Sequence, residues 1–106
     1  MERSGLDVLV KNPEQLKHDI NEAMRNIRNE LLENRDADPT VALVIGDLAF
    51  KASDAVEYFD RCGKLVYGLG MAYDFMHDIA GLANVIKDTK IKEIAYNVAD
   101  EIYNSI

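Results

Sequence analysis

Residues 63–88, GKLVYGLGMAYDFMHDIAGLANVIKD, form the least polar long segment of this sequence. Apolar side chains recur in it at three- and four-residue spacing, and together they cover well over half of a helical circumference. A helix with so wide an apolar face needs neighbours on several sides. The segment therefore predicts a central, largely buried helix against which the rest of the chain packs.

Three further segments show the periodicity of amphipathic helices, and short polar turns separate them. We predict four helices, with approximate bounds 13–35, 39–61, 64–87 and 90–105. Asn12, Asp38 and Thr89 are placed as N-caps, and Gly63 is placed to end the second helix in a left-handed conformation. Amphipathic helices joined by short turns predict an all-α, antiparallel bundle.

Two details of these helices stay open in the sequence. Residues 88–90 contain neither glycine nor proline, so one bent helix, and hence a three-helix bundle, is the alternative at the last boundary. Gly68 and Gly70 indicate either a close approach of two helices or a late helix start near Met71.

Length and composition fit a single globular domain, since the chain has 106 residues of which 48 % are apolar. We predict that residues 13–106 form this domain and that residues 1–12 form an extended or loosely packed N-terminal arm. Cys62 is the only cysteine, so we expect a buried thiol and no internal disulfide.

Charge and targeting signals narrow the choice of partners. The net charge of −7 disfavours nucleic acid, because an acidic surface repels phosphate groups. There is no secretory signal pattern and no apolar run long enough to span a bilayer. We therefore expect a soluble, cytoplasmic protein without a membrane partner, and no motif implies a cofactor.

An apolar pair on the second helix predicts an interface. Leu43 and Phe50 are seven residues apart and fall nearly opposite the main apolar stripe of that helix. Two apolar residues on a helix face that should be exposed to solvent indicate a second packing neighbour or a self-association surface. The alternative is that they are scattered surface residues without a role in binding. We predict that Leu43 and Phe50 lie in an interface.

The two histidines share a local pattern, HDINEAMRNI at residues 18–27 and HDIAGLANVI at residues 77–86. Helical phase places His18 almost directly away from the core and His77 at the edge of an apolar stripe. A neutral, accessible imidazole is a competent nucleophile, and the aspartate that follows each histidine is placed to accept its proton.

Both decapeptides resemble the His-box of histidine kinases, a helical hairpin used for dimerisation and phosphotransfer. In that family an acidic residue follows the histidine, and apolar residues follow it two, six and nine positions later. The resemblance implies a phosphorelay protein with His18 as phosphoryl acceptor and Asp19 as its base, or with His77 and Asp78 in these roles. Neither decapeptide carries the proline that the family usually has five positions after the histidine.

Two metal sites are suggested by weaker resemblances around the second histidine. The segment FMHDIAGL is similar to the metal-binding box of the HD phosphohydrolases, which implies His77 and Asp78 as ligands of a hydrolase. Asp74 and His77 have the spacing that resembles the carboxylate–x–x–His pairs of di-iron bundles. The candidate metal ligands are therefore Asp74, His77 and Asp78.

No Gly-rich phosphate loop, no nucleophile with a base at a known spacing and no metal-ligand cluster stands out in the sequence. Our interpretation is a protein-interaction or regulatory module rather than an enzyme. Its partner is a protein, and a second copy of the chain, forming a homodimer, is one candidate. The phosphorelay protein is the alternative, and the phosphohydrolase is the remote one.

Overall fold

The structure is a computed structural model that describes residues 5–106, with side chains from Asp7 onward. It contains a 3-10 helix at Gly5–Leu9 followed by four α-helices, and each α-helix lies within a few residues of its predicted bounds. The helices are α1 Pro13–Glu33, α2 Pro39–Arg61, α3 Leu65–Val85 and α4 Thr89–Asn104. The predicted all-α, antiparallel bundle is confirmed, with four helices.

The four helices pack in chain order, and α1 also contacts α4, so that they form a closed ring around one core. The bundle is elongated, with principal extents of 45 × 21 × 17 Å. Helix α3 has eight buried residues, more than any other helix, and it packs against α2, α4 and the 3-10 helix. Its wide apolar stripe is covered from several sides, as the sequence predicts.

The N-terminal segment, predicted as an extended or loosely packed arm, is packed against the bundle from Asp7 onward. Residues 5–9 form a 3-10 helix, and Asp7 and Val10 are buried against the bundle. The backbone N–H of Lys11 donates to the carbonyl oxygen of Ser105 at 2.8 Å, which joins this segment to the end of α4. The arm prediction for residues 1–4 lies outside the described residues.

Asp7 caps a helix that begins almost sixty residues later. Its carboxylate accepts hydrogen bonds from the backbone N–H groups of Leu65, at 2.6 Å, and Val66, at 2.9 Å. The residue in the cap position itself, Lys64, makes no side-chain cap. A carboxylate suits this place, because the first N–H groups of a helix are unpaired and carry partial positive charge.

The predicted caps of α1 and α2 have different outcomes. Asp38 is the N-cap of α2, where one of its carboxylate oxygens accepts from the N–H groups of Thr40 and Val41, so this prediction is confirmed. Asn12 occupies the cap position of α1 but is left-handed, with φ 46°, and makes no side-chain cap. The predicted cap position is confirmed, but the hydrogen bond at this helix start comes from the backbone, where the carbonyl oxygen of Asn12 accepts from the N–H of Leu16.

A break separates α3 from α4, as predicted, although no glycine is present. Lys87 adopts the left-handed conformation with φ 57°, and the N–H of Asp88 donates to the carbonyl of Ala83, which completes a Schellman turn. The side chain of Asp88 then caps α4 by accepting from Ile91. The predicted cap Thr89 is wrong by one residue.

The end of α2 confirms one prediction and corrects another. Gly63 has φ 72°, and the N–H of Lys64 donates to the carbonyl of Phe59, so this helix also ends in a Schellman turn. Cys62 precedes the glycine as the C-cap residue and is exposed, not buried as predicted. Because Cys62 lies in the turn that ends α2, its thiol is outside the core.

The two glycines at the start of α3 have different environments. The helix begins at Leu65, so the alternative of a late start near Met71 is wrong. Gly68 is buried against α2, and a Cβ atom there would lie 2.8 Å from the carbonyl oxygen of Ala55. Gly70 is exposed, and a Cβ atom there would have no neighbour within 4 Å. Only Gly68 permits a close helix approach.

Candidate functional site: an apolar groove between α1 and α2

An open groove of about 480 Å³ lies between the C-terminal half of α1 and the N-terminal half of α2. Its walls carry four large apolar side chains and two charged ones: Leu31, Leu32, Leu43, Phe50, Arg28 and Asp47. Three of these apolar side chains are strongly exposed, Leu32 at 79 %, Leu43 at 75 % and Phe50 at 54 %. Apolar side chains gathered in a concave surface are typical of binding sites, whereas single exposed leucines are not.

Gly46 lies on the α2 side of this groove and leaves room in it. A Cβ atom at Gly46 would lie 3.7 Å from Cδ1 of Leu31, which is ordinary contact, so the two walls are close at this level. Leu31 of α1 therefore lies opposite Gly46 of α2, and this pair marks the level at which the two antiparallel helices face one another.

The sequence located one wall of the groove. The predicted outward positions of Leu43 and Phe50 are confirmed, and their role in an interface remains a prediction. The sequence did not predict the α1 wall of the groove, because Leu31 belongs to the core stripe of α1 and Leu32 looks like an isolated surface residue in the sequence. The adjacent leucine pair at the end of an amphipathic stripe was the available signal.

The two charged residues of the groove lie on opposite walls. Arg28 is on α1, and within residues 5–106 it has no carboxylate partner. Asp47 is on α2 and forms an exposed ion pair with Lys51 one turn later, at 2.9 Å. Such exposed pairs contribute only a few tenths of a kcal/mol, so Asp47 remains available to a further cation.

His18 is exposed, as predicted, and lies beside a small polar crevice between α1 and α2. Lys17 in this crevice forms an ion pair with Asp60 at 2.5 Å and a second with Glu14 at 3.3 Å. The hydrogen bond to Asp60 raises the pKa of Lys17. Glu57 also lines the crevice, so the surroundings of His18 are mainly acidic.

Asp19, the predicted base for His18, is engaged elsewhere. Its carboxylate accepts a hydrogen bond from Gln15 at 2.9 Å and shares another with Glu101 of α4. The hydrogen bond with Glu101 lowers the pKa of Asp19, while burial and the proximity of Asp19 raise the pKa of Glu101 to about 7. A protonated Glu101 that donates to the Asp19 carboxylate accounts for both shifts.

This pair predicts a pH-dependent stability. The ordinary pKa of Glu101 is 4.5 and its folded value is about 7, so between these values the folded protein holds a proton that the unfolded chain has released. The free energy of unfolding should therefore fall as pH rises through this window, by on the order of 1–2 kcal/mol once solvent screening is considered. The lowered pKa of Asp19 affects the free energy of unfolding only at pH values below this window. There the ionised Asp19 carboxylate stabilises the folded protein, and this stabilisation is lost as the carboxylate is protonated at falling pH.

Urea unfolding of the wild type and Glu101→Gln at pH 5 and pH 8 tests this expectation. The glutamine amide can still donate to Asp19 but does not titrate, so the variant should lose less stability between the two pH values. Glu22 and Lys11 lie in the crevices next to the pair and are unchanged in both proteins. An equal decline in both proteins would contradict the assignment.

His77 is exposed on α3 and belongs to an aromatic cluster that spans α3 and α4. Its ring centroid lies 4.5 Å from that of Tyr73 and 5.6 Å from that of Tyr96, and Tyr73 in turn lies 6.4 Å from Tyr103. The histidines are not brought together, because α1 and α3 lie diagonally opposite one another in the ring of helices.

The candidate metal ligands do not form a site. Asp74 and Asp78 are exposed beside His77, and among residues 5–106 no group of three or more histidine, cysteine or acidic side chains is gathered to hold an ion. The hydrolase and di-iron alternatives therefore have no ligand set in the part of the chain that the structure describes. In the same part, no helix combines the length and the hydropathy needed to cross a bilayer.

Comparison of the chain with protein-family models, curated proteins and solved structures gives no match.

Proposed function

We propose that this chain is a protein-interaction module that self-associates through the groove between α1 and α2. The observation that carries this proposal is the clustering of Leu32, Leu43 and Phe50, each more than half exposed, on the walls of one concave surface. Burial of apolar surface is the main favourable term in protein association, and its value is about 25 cal/mol per Å². A partner that covers these three side chains would remove them from water together.

The chemistry of the groove favours binding over catalysis. Its walls are apolar except for one cation and one anion, and Lys17, Asp19 and Glu101, whose pKa values are shifted, all lie outside it. Catalytic sites usually gather titratable groups whose pKa values are displaced from their ordinary values. An apolar surface with a charged margin is instead the usual composition of a protein interface.

Light scattering coupled to size exclusion, at about 100 µM protein, tests self-association, because a dimer with a micromolar dissociation constant is mostly assembled there. We expect the wild type to be dimeric and Phe50→Glu to be a folded monomer, with a dissociation constant raised about 100-fold or more, since the interface would lose the apolar area of two Phe50 rings and would have to take two carboxylates out of water. Circular dichroism verifies that the variant is folded.

Tyr58→Glu is the matched control for this experiment. Tyr58 lies on the same helix and is 56 % exposed, close to the 54 % of Phe50, but it is outside the groove. This variant should remain dimeric. A monomeric wild type, or equal dissociation of the two variants, would contradict the proposal.

A second candidate function is phosphotransfer through His18, and the exposure of this side chain favours it. Incubation with phosphoramidate, a small phosphoryl donor, should then give an acid-labile phosphate on the wild type and none on His18→Gln. Absence of label on His18, or label on His77 alone, would remove this candidate. The His18→Gln variant should self-associate normally, so the two functions are separable.

A further inference from the structure

We infer that the two copies in the proposed dimer are related by a two-fold axis that runs along the groove, so that Arg28 of each copy meets Asp47 of the other. This inference rests on the proposed function and adds the occupant of the groove and its orientation. The occupant is the α1–α2 hairpin of a second copy.

The positions of the charges carry the inference. Arg28 stands on the α1 wall and Asp47 on the α2 wall of the same groove. A two-fold axis along the groove places the α1 wall of one copy over the α2 wall of the other, at the same level of the hairpin. Each arginine then faces the opposite charge in the second copy, and the symmetry provides this contact twice.

The apolar side chains also match in this arrangement. Because Leu31 lies opposite Gly46 in an antiparallel hairpin, Arg28 lies near the level of Phe50, and Leu32 lies between the levels of Leu43 and Gly46. Leu32 of one copy would therefore lie over the α2 wall near Leu43 of the other. The methylene stem of Arg28 would lie over the Phe50 ring, where a guanidinium–aromatic contact is favourable.

The other face-to-face arrangement is disfavoured by charge. An axis across the groove would pack α2 against α2 in antiparallel fashion, with Phe50 of each copy on Leu43 of the other. The midpoint between positions 43 and 50 lies beside Asp47, so the two Asp47 carboxylates would meet near the axis. Like charges placed opposite one another in an interface are unfavourable, and the net charge of −7 on each copy adds to the repulsion.

A charge exchange across the interface tests the orientation. Arg28→Glu should place two acidic side chains together, and Asp47→Arg two basic ones, so each single variant should weaken the dimer about tenfold. The double variant Arg28→Glu/Asp47→Arg restores opposite charges and should return to within about threefold of the wild type. Sedimentation equilibrium on the four proteins provides the dissociation constants.

Arg25→Glu is the control for the change in net charge, because Arg25 is an exposed residue of α1 that pairs with Glu22 and lies outside the groove. It should leave the dimer unchanged within about threefold. If Phe50→Glu dissociates the dimer but Arg28→Glu behaves like Arg25→Glu, or the double variant is weaker than either single one, the orientation is wrong and the proposed function stands. If the wild type is monomeric, both fail.

Discussion

Replacing Gly68 with alanine should lower the free energy of unfolding by about 3 kcal/mol. The new Cβ atom would lie 2.8 Å from the carbonyl oxygen of Ala55 and 3.0 Å from Cα of Val56. Both neighbours are backbone atoms of α2, so no rotamer change relieves the overlap. The helices must separate instead, and the fully buried side chains beside the contact, Leu65 and Leu69, lose packing.

Gly70→Ala is the control, two residues further along the same helix. Its new Cβ atom meets nothing within 4 Å, so only the helix propensity changes, and the free energy of unfolding should rise by about 1 kcal/mol. Urea unfolding followed by far-UV circular dichroism measures both variants. If Gly68→Ala proves as stable as Gly70→Ala, α2 and α3 are not held as closely as the structure has them.

The second large effect is expected at Asp7. Asp7→Ala removes the acceptor for the N–H groups of Leu65 and Val66 and leaves the start of α3 uncapped in a buried place. The loss of charged hydrogen bonds and the burial of unpaired donors should lower the free energy of unfolding by about 2–3 kcal/mol.

Two further variants identify the cause of this loss. Asp7→Asn keeps one acceptor oxygen but not the charge, so its unfolding free energy should lie between those of the wild type and Asp7→Ala. Val8→Ala changes an adjacent side chain that is 68 % exposed and should have an effect below about 0.5 kcal/mol. Equal losses for Asp7→Ala and Val8→Ala would show that the carboxylate does not cap α3.

Features of the fold that depend on neighbouring residues were predictable from the sequence. Asp38 followed by Pro39 starts α2, and Gly63 ends it, because the caps act within one turn of the helix. Lys87 gave no such signal, since a lysine rarely adopts a left-handed conformation. The sequence indicated the break there through Thr89, a residue able to cap a helix, one position after the actual cap Asp88.

Features that join distant residues were not predictable in this way. Asp7 caps α3 and Glu101 interacts with Asp19, and in each case the two partners belong to different elements that only packing brings together. The candidate site shows the same division. Helical phase was sufficient to place Leu43 and Phe50 outward, but the opposite wall of the groove depends on how α1 packs against α2.

The cap that Asp7 provides also affects the order in which the protein folds. Most helix contacts in this bundle join consecutive helices, and such short-range topology is associated with rapid folding. The contact from Asp7 to Leu65 spans 58 residues of chain, so its formation carries the entropy cost of closing a large loop. We therefore expect α3 to pair with α2 and α4 early and its first turn to be completed later, when the N-terminal segment docks.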